Sequence, residues 1–150
     1  MRQPSSSPNR LFHGDAGAVL AALPQDEALD LVYLDPPYAV GTVMTMRERA
    51  GESRGRKRTG SGRDAYVDGR GVDALIAMLV PVFDAVRARM SAAASFYLHM
   101  DWRAVHDAKV AADRVFGRRA FVGEVIWTPG NGSRGARGFA VTHQTLLVYA

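Results

Sequence analysis

Four consecutive residues, Asp35-Pro36-Pro37-Tyr38, combine the groups needed to hold a planar amine. Asp35 offers a carboxylate that accepts hydrogen bonds. Pro36 and Pro37 have no N–H, which leaves their carbonyls free to point into a site. Tyr38 offers a flat aromatic face. A heteroaromatic base held here would give the two hydrogens of an exocyclic NH2 group to Asp35 and to the Pro36 carbonyl, with its ring on Tyr38. That grip draws electron density onto the amino nitrogen and favours its attack on an electrophilic methyl group. The same tetrapeptide is equally compatible with a plain strand-ending turn, because Asp-Pro and Pro-Pro are common loop dipeptides.

The residues that must position it come just before. Leu29-Asp30-Leu31-Val32-Tyr33-Leu34 is short, mostly apolar and bounded by turn residues, and it predicts a buried parallel strand. Pro36 stops that strand and holds Asp35 extended. A rigid, polar-tipped loop then lies at the carboxyl end of a strand, where open α/β sheets place their chemistry.

The flanking sequence supplies further elements. Arg10 to His13 reads as a short strand, and Asp15 as the cap of a helix over Ala16–Leu23 that Pro24 ends. Residues 39–71 are rich in glycine and charge and read as one long loop, either solvated or in contact with a polyanion. From Val72 or Asp73 a helical stripe runs through Leu75, Ile76, Leu79, Val82, Phe83, Val86 and Met90. Pro81 within it predicts a kink or a break, and Met78 and Met90 read as core. Ser95–His99 predicts a strand, with Asp101 capping a helix over 102–116 that Gly117 stops. Strands over Ala120–Thr128 and Thr145–Tyr149 flank a glycine-rich loop carrying Arg134 and Arg137, the pattern of an antiparallel hairpin.

Composition narrows the classes. At 150 residues with 47% hydrophobic content, the chain is one domain at most, with enough apolar surface for a core. It has no cysteine, which excludes disulfides and thiolate metal sites. His13, His99, His106 and His143 are scattered without metal-ligand spacing, so no metal is expected. Residues 1–9 are polar, rich in Pro and Ser, and expected to be disordered. They lack the apolar region of a secretory signal, and no apolar run nears the ~20 residues of a membrane span, so the chain reads as cytoplasmic. Residues 41–70 hold eight basic and four acidic side chains, an excess equal to the whole net charge of +4. Such a segment beside a reactive loop suggests a polyanionic partner.

With these motifs in place, the sequence resembles the permuted (β-group) DNA adenine-N6/cytosine-N4 amino-methyltransferases, whose catalytic motif is Asp-Pro-Pro-Tyr. Supporting segments follow in order: Leu11-Phe12-His13-Gly14-Asp15, Phe96-Tyr97-Leu98-His99-Met100-Asp101, Val115-Phe116-Gly117, Glu124-Val125-Ile126-Trp127 and His143-Gln144-Thr145-Leu146-Leu147-Val148-Tyr149. The resemblance spans residues 10–150. It implies an α/β, Rossmann-like S-adenosylmethionine-dependent fold, incomplete, with the catalytic half closed by the C-terminal antiparallel hairpin. It assigns Asp35, Pro36, Pro37 and Tyr38 to catalysis on a flipped base, and Asp15 and Asp35 to cofactor contacts. It makes double-stranded DNA the partner, with Arg54, Arg56, Lys57 and Arg58 of the long basic loop and Arg134 and Arg137 of the hairpin on its backbone. Asp at position 35 favours adenine N6 over cytosine N4. A restriction–modification system is the setting that this reading suggests; the other readings are a nucleic-acid-binding remnant without its cofactor half and an amino-methyltransferase acting on RNA, protein or cytosine N4.

The family's Phe-x-Gly-x-Gly segment for the methionine part of the cofactor has no match here, nor has its ribose-binding acid. The expectation is a truncated piece or one half of a split enzyme, inactive by itself, with a C-terminal half or second polypeptide supplying the glycine motif. The strand at 29–34 would then have an unpaired edge, unless residues 10–13 pair with it directly.

Overall fold

The computed structural model describes residues 9–38, 71–130 and 139–150, together with the backbone of 43–46 and 63–67. Arg54, Arg56, Lys57, Arg58, Arg134, Arg137 and the stretch 1–8 lie outside the described residues, and so do the expectations placed on them.

Helix α1 (Ala16–Ala22) leads into β1 (Leu29–Leu34). Strands β2 (Val43–Met46) and β3 (Arg63–Val67) follow, then α2 (Gly71–Arg89), β4 (Met90–Met100) and α3 (Val105–Phe116). A 3-10 turn at Arg118–Ala120 precedes β5 (Phe121–Trp127) and β6 (Gln144–Tyr149). The main sheet has the order β1-β4-β6-β5. β1 runs parallel to β4, and β6 is antiparallel to both β4 and β5. Thus β6 returns from β5 and inserts between it and β4, and the predicted C-terminal antiparallel pair forms one edge of the sheet.

Alternation decides what each face of the sheet does. On one face Phe96, Leu98, Met100, Leu147 and Tyr149 are fully or almost fully buried. They pack against Leu79, Phe83 and Val86 of α2 and Ala108, Ala112 and Phe116 of α3. An aromatic cluster forms the centre, with Phe96 stacked on Phe116 at 4.7 Å and Phe83 edge-on to Phe96 at 5.7 Å. The other face carries Leu31, Tyr33, Tyr97, His99, Val125 and Trp127, and no described helix covers it. There Leu31 is 63% exposed and Tyr33 51%.

Several expectations are corrected. β1 is a parallel strand, as predicted, but it is not buried: it is an edge strand covered on one face, so only Val32 and Leu34 reach the core. Residues 10–13 form no strand. Leu11 is fully exposed, and Arg10 pairs instead with Glu27 in the loop before β1. The segment 39–71 is not loop throughout. β2 and β3 pair antiparallel, Val43 opposite Val67 and Met46 opposite Arg63, as a separate two-stranded sheet. The strand-forming runs Val43-Met44-Thr45-Met46 and Ala65-Tyr66-Val67 account for the pairing despite the surrounding glycines.

Pro81 does not end α2. It and Ala77, whose carbonyl loses a partner at that point, both lie on the exposed side, where water can satisfy the group. Met78 sits on the same exposed side and is not core. Gly117 ends α3 as expected, at φ 90°, with its N–H bonded to the Asp113 carbonyl at 3.0 Å. No described helix is long and apolar enough to cross a membrane.

Candidate active site

Parallel pairing of β1 and β4 runs from Leu31 opposite Ser95 to Leu34 opposite Leu98 and stops there. The prolines that follow cannot donate to a ladder. One further step of the same register sets Asp35 across from His99, and both side chains fall on the helix-free face. The structure shows that juxtaposition: Asp35 Oδ1 lies 3.9 Å from His99 Nδ1. The Asp35 side chain is 56% exposed, open to an incoming ligand.

Tyr38 closes back over this carboxylate, its hydroxyl donating to Asp35 Oδ1. Burial first, then the hydrogen bond to Asp35 and its charge, push the Tyr38 hydroxyl well above its ordinary pKa and keep it a proton donor. The Tyr38 ring tilts against the His99 imidazole at 5.9 Å. Pro36 is buried and Pro37 partly so, which fixes the loop's course between Asp35 and Tyr38. The structure therefore brings all four residues of the motif to one end of the sheet.

His99 is the residue that sequence reasoning missed. It is 8% exposed, although the face it occupies has no described helix over it. Side chains from the surrounding strands bury it. Tyr33 of β1 meets its Nδ1 at 2.6 Å, and Gln144 Oε1 of β6 lies 2.7 Å from its Nε2. Trp127 of β5 packs edge-on against the ring at 5.5 Å. In the neutral ring, the Gln144 carbonyl facing Nε2 puts the hydrogen on that nitrogen and leaves Nδ1 to accept from the Tyr33 hydroxyl. The available signal was the alternation in Leu98-His99-Met100, which puts a polar residue on the face opposite two core residues.

Beside this cluster, a cleft of about 340 Å³ opens between the β4–α3 turn and the start of β6. Asp101, Trp102, Arg103, Pro129, His143 and Gln144 are among its walls. Regular α3 starts one turn later than predicted, but Asp101 caps the turn that leads into it, its carbonyl accepting from the Val105 N–H at 3.1 Å. Its Oδ1 takes the Arg103 N–H at 3.0 Å, and its Oδ2 pairs with the Arg103 guanidinium. That guanidinium also lies 5.1 Å from the Trp102 ring. Gln144 belongs both to the cleft and to the His99 cluster, so the two share a wall.

Asp15 stands apart. Its Oδ1 accepts from the Ala18 N–H at 3.0 Å, the cap predicted for α1. Among the described residues no hydrogen bond or ion pair joins it to the Asp35 cluster.

A half-open carboxylate, an adjoining aromatic face and a polar cleft thus gather at the carboxyl ends of β1 and β4. Comparison with curated proteins finds no match. A family model described as DNA methylase matches residues 29–150, from the first residue of β1 to the end of the chain, leaving Asp15 outside the matched span. That span contains the whole Asp35–His99 cluster, and the chain belongs to the N6/N4 DNA methylase family.

Proposed function

We propose that this chain is the base-holding part of an S-adenosylmethionine-dependent DNA methyltransferase acting on the N6 amine of a flipped adenine. One observation carries the reading: Asp35 presents a half-exposed carboxylate at the end of β1 with the Tyr38 hydroxyl on it, and the cleft lies beyond His99, to which it is joined through Gln144. An exocyclic amine inside a duplex is engaged in pairing, so the base must leave the stack to reach such a carboxylate.

The chain's own residues bind and orient. The amine displaces the Tyr38 hydroxyl from Asp35 Oδ1 and donates one hydrogen there and the other to the Pro36 carbonyl. The freed Tyr38 ring then lies against the base. Asp35 is negative and accepts only, so it raises the electron density on nitrogen and offsets the positive charge that nitrogen gains as its new N–C bond forms. When bound, the cofactor would supply an electrophilic methyl on a sulfonium sulfur, which would leave as a neutral thioether with the electron pair of the broken S–C bond, and the extra proton on the methylated nitrogen would pass to water. The sequence has no Phe-x-Gly-x-Gly segment to cradle the cofactor's methionine part, and Asp15 has one oxygen committed to capping α1. We place that cradle on a further segment or second polypeptide. The edge of β1 that no described strand pairs with, and the sheet face beside it that no described helix covers, support that placement.

The test supplies the cofactor-binding half, in cis or in trans, with duplex DNA and labelled cofactor, and analyses the nucleosides by mass spectrometry. N6-methyladenine is expected. N4-methylcytosine would move the reading to cytosine, and label in RNA but not DNA would overturn it. The 150-residue chain alone should transfer no methyl group and give no tight cofactor binding by calorimetry. The DNA-contact reading of the basic segment rests on its charge. Replacing Arg54, Arg56, Lys57 and Arg58 with Ala should weaken binding to all sequences alike. It should also flatten the log–log salt dependence by about 0.9 per lost phosphate contact; an unchanged slope would remove those residues from the interface.

A further inference from the structure

We propose that His99 is a positioning residue for methyl transfer, holding Asp35 and Tyr38 in register with the cleft by linking Tyr33 on β1 to Gln144 on β6. The proposal rests on the reading of Asp35 as the acceptor of the target amine.

The need for such a residue follows from the backbone. β1 is an edge strand, hydrogen-bonded on one side only among the described residues, and that pairing ends at Leu34. Asp35 lies one residue beyond the ladder, and the two residues after it have no N–H. Main-chain hydrogen bonds therefore do not set the position of the carboxylate. Side chains must do so, and His99 is the one that reaches it from the neighbouring strand. Its Nδ1 binds Tyr33, two residues before Asp35 on the same face, at 2.6 Å. Its ring packs on Tyr38, three residues after Asp35, at 5.9 Å. Its far nitrogen faces Gln144 of the cleft wall at 2.7 Å, and Trp127 closes the side.

The hydrogen-bond pattern also suits the chemistry. In the neutral ring with its hydrogen on Nε2, Nδ1 accepts from the Tyr33 hydroxyl and presents no N–H to Asp35, 3.9 Å away. The carboxylate keeps its accepting capacity for the amine. A residue donating from the same place would fill it.

Single-turnover methyl transfer by the cofactor-complete enzyme, measured with duplex DNA and S-adenosylmethionine, separates this role from simple packing. His99→Ala should slow transfer about tenfold or more, while cofactor affinity stays unchanged. His99→Asn places an oxygen near the Nδ1 position and should restore most of the rate by accepting from Tyr33. His99→Gln can reach only toward Gln144 and should restore less. Tyr33→Phe should match the loss in His99→Ala, and the double variant should be no slower than either single one. Equal rates for the Asn and Ala variants, or a loss confined to cofactor binding, would overturn the proposal.

A second readout needs no turnover. In nitrogen-15 spectra of the full chain, the Asp35 and Tyr38 amide signals should shift or broaden in His99→Ala and Tyr33→Phe, and return toward wild type in His99→Asn. Unmoved amides in a folded His99→Ala protein would equally refute positioning. Should wild type methylate no DNA while these signals respond as described, the proposed reaction falls and the positioning role stands.

Discussion

Two tyrosine–aspartate pairs sit on opposite faces of one sheet in different surroundings. On the helix side, Tyr149 of β6 donates to Asp113 of α3 at 2.9 Å. Lys109 adds a second bond to the same carboxylate at 2.7 Å and lies 3.8 Å from the Phe121 ring, while Arg118 approaches at 3.8 Å. On the open side, Tyr38 donates to Asp35, and a histidine that accepts from Tyr33 is the only other polar neighbour described. The Asp113 side chain is 13% exposed, against 56% for Asp35. In both pairs burial, then the aspartate, raises the tyrosine pKa above its ordinary value. The aspartates differ. Burial pushes Asp113 upward, but the bonds from Lys109 and Tyr149 and the neighbouring charges outweigh it, and its carboxyl is held below the usual range. A carboxylate surrounded by cations and donors is a structural tie between α3 and the sheet. One satisfied by a single displaceable hydroxyl can still accept a ligand.

Breaking the reactive pair should give the largest effect. In the cofactor-complete enzyme, Asp35→Ala should slow single-turnover methyl transfer by about 100-fold or more, the scale of losing one well-placed electrostatic contact, with the unfolding midpoint little changed. Asp35→Asn keeps the shape and one acceptor, so it should retain more activity than Ala if hydrogen-bond geometry dominates over charge. A near-normal rate in Asp35→Ala would make the tetrapeptide a turn and nothing more.

The structural pair predicts the reverse. Asp113→Ala leaves the Lys109 ammonium and the Tyr149 hydroxyl without their partner. It should cost about 1–3 kcal/mol in denaturant unfolding and leave the rate of methyl transfer per folded molecule unchanged. Because the folded-state pKa of Asp113 is depressed, its contribution is complete above the unfolded carboxylate pKa of about 3.9 and is lost as pH falls through the lower folded value. Acid unfolding of the wild type should therefore flatten in Asp113→Asn, which has no proton to take up. An identical acid profile in the two proteins would mean that the tie carries no such linkage.

The smallest effect sharpens the comparison. Tyr38→Ala removes a face for the base and should weaken transition-state binding by about 1–3 kcal/mol, while Tyr38→Phe should recover most of it by keeping the ring. Tyr149→Phe should cost about 1 kcal/mol of stability, with no change in transfer rate. If Tyr38→Phe were as impaired as Ala, the hydroxyl on Asp35, rather than the ring, would be the working part of Tyr38.

Local chemistry determined much of this protein from sequence alone. Pro36 and Pro37 end β1 wherever it packs, because neither has an N–H to give a ladder. The apolar stripe of α2 and the glycine stop at 117 follow from helical periodicity and from a backbone conformation that side chains disfavour. The Asp15 cap needs only its own neighbours. Tertiary structure decided what depends on partners distant in the chain. Arg10–His13 has strand character but pairs with no described strand, although one edge of β1 is open among the described residues; Leu11 is fully exposed and Arg10 pairs with Glu27 instead. Leu31 and Tyr33 look like core residues, yet they face a side of the sheet that no described helix covers. The insertion of β6 between β4 and β5 sets Gln144 against His99, 45 residues earlier, while the β1–β4 register brings Tyr33 to the same ring across 66 residues. Periodicity can say that His99 points away from Leu98 and Met100. Which side chains it meets there depends on strand order and register, and those are set by pairing across the whole sheet.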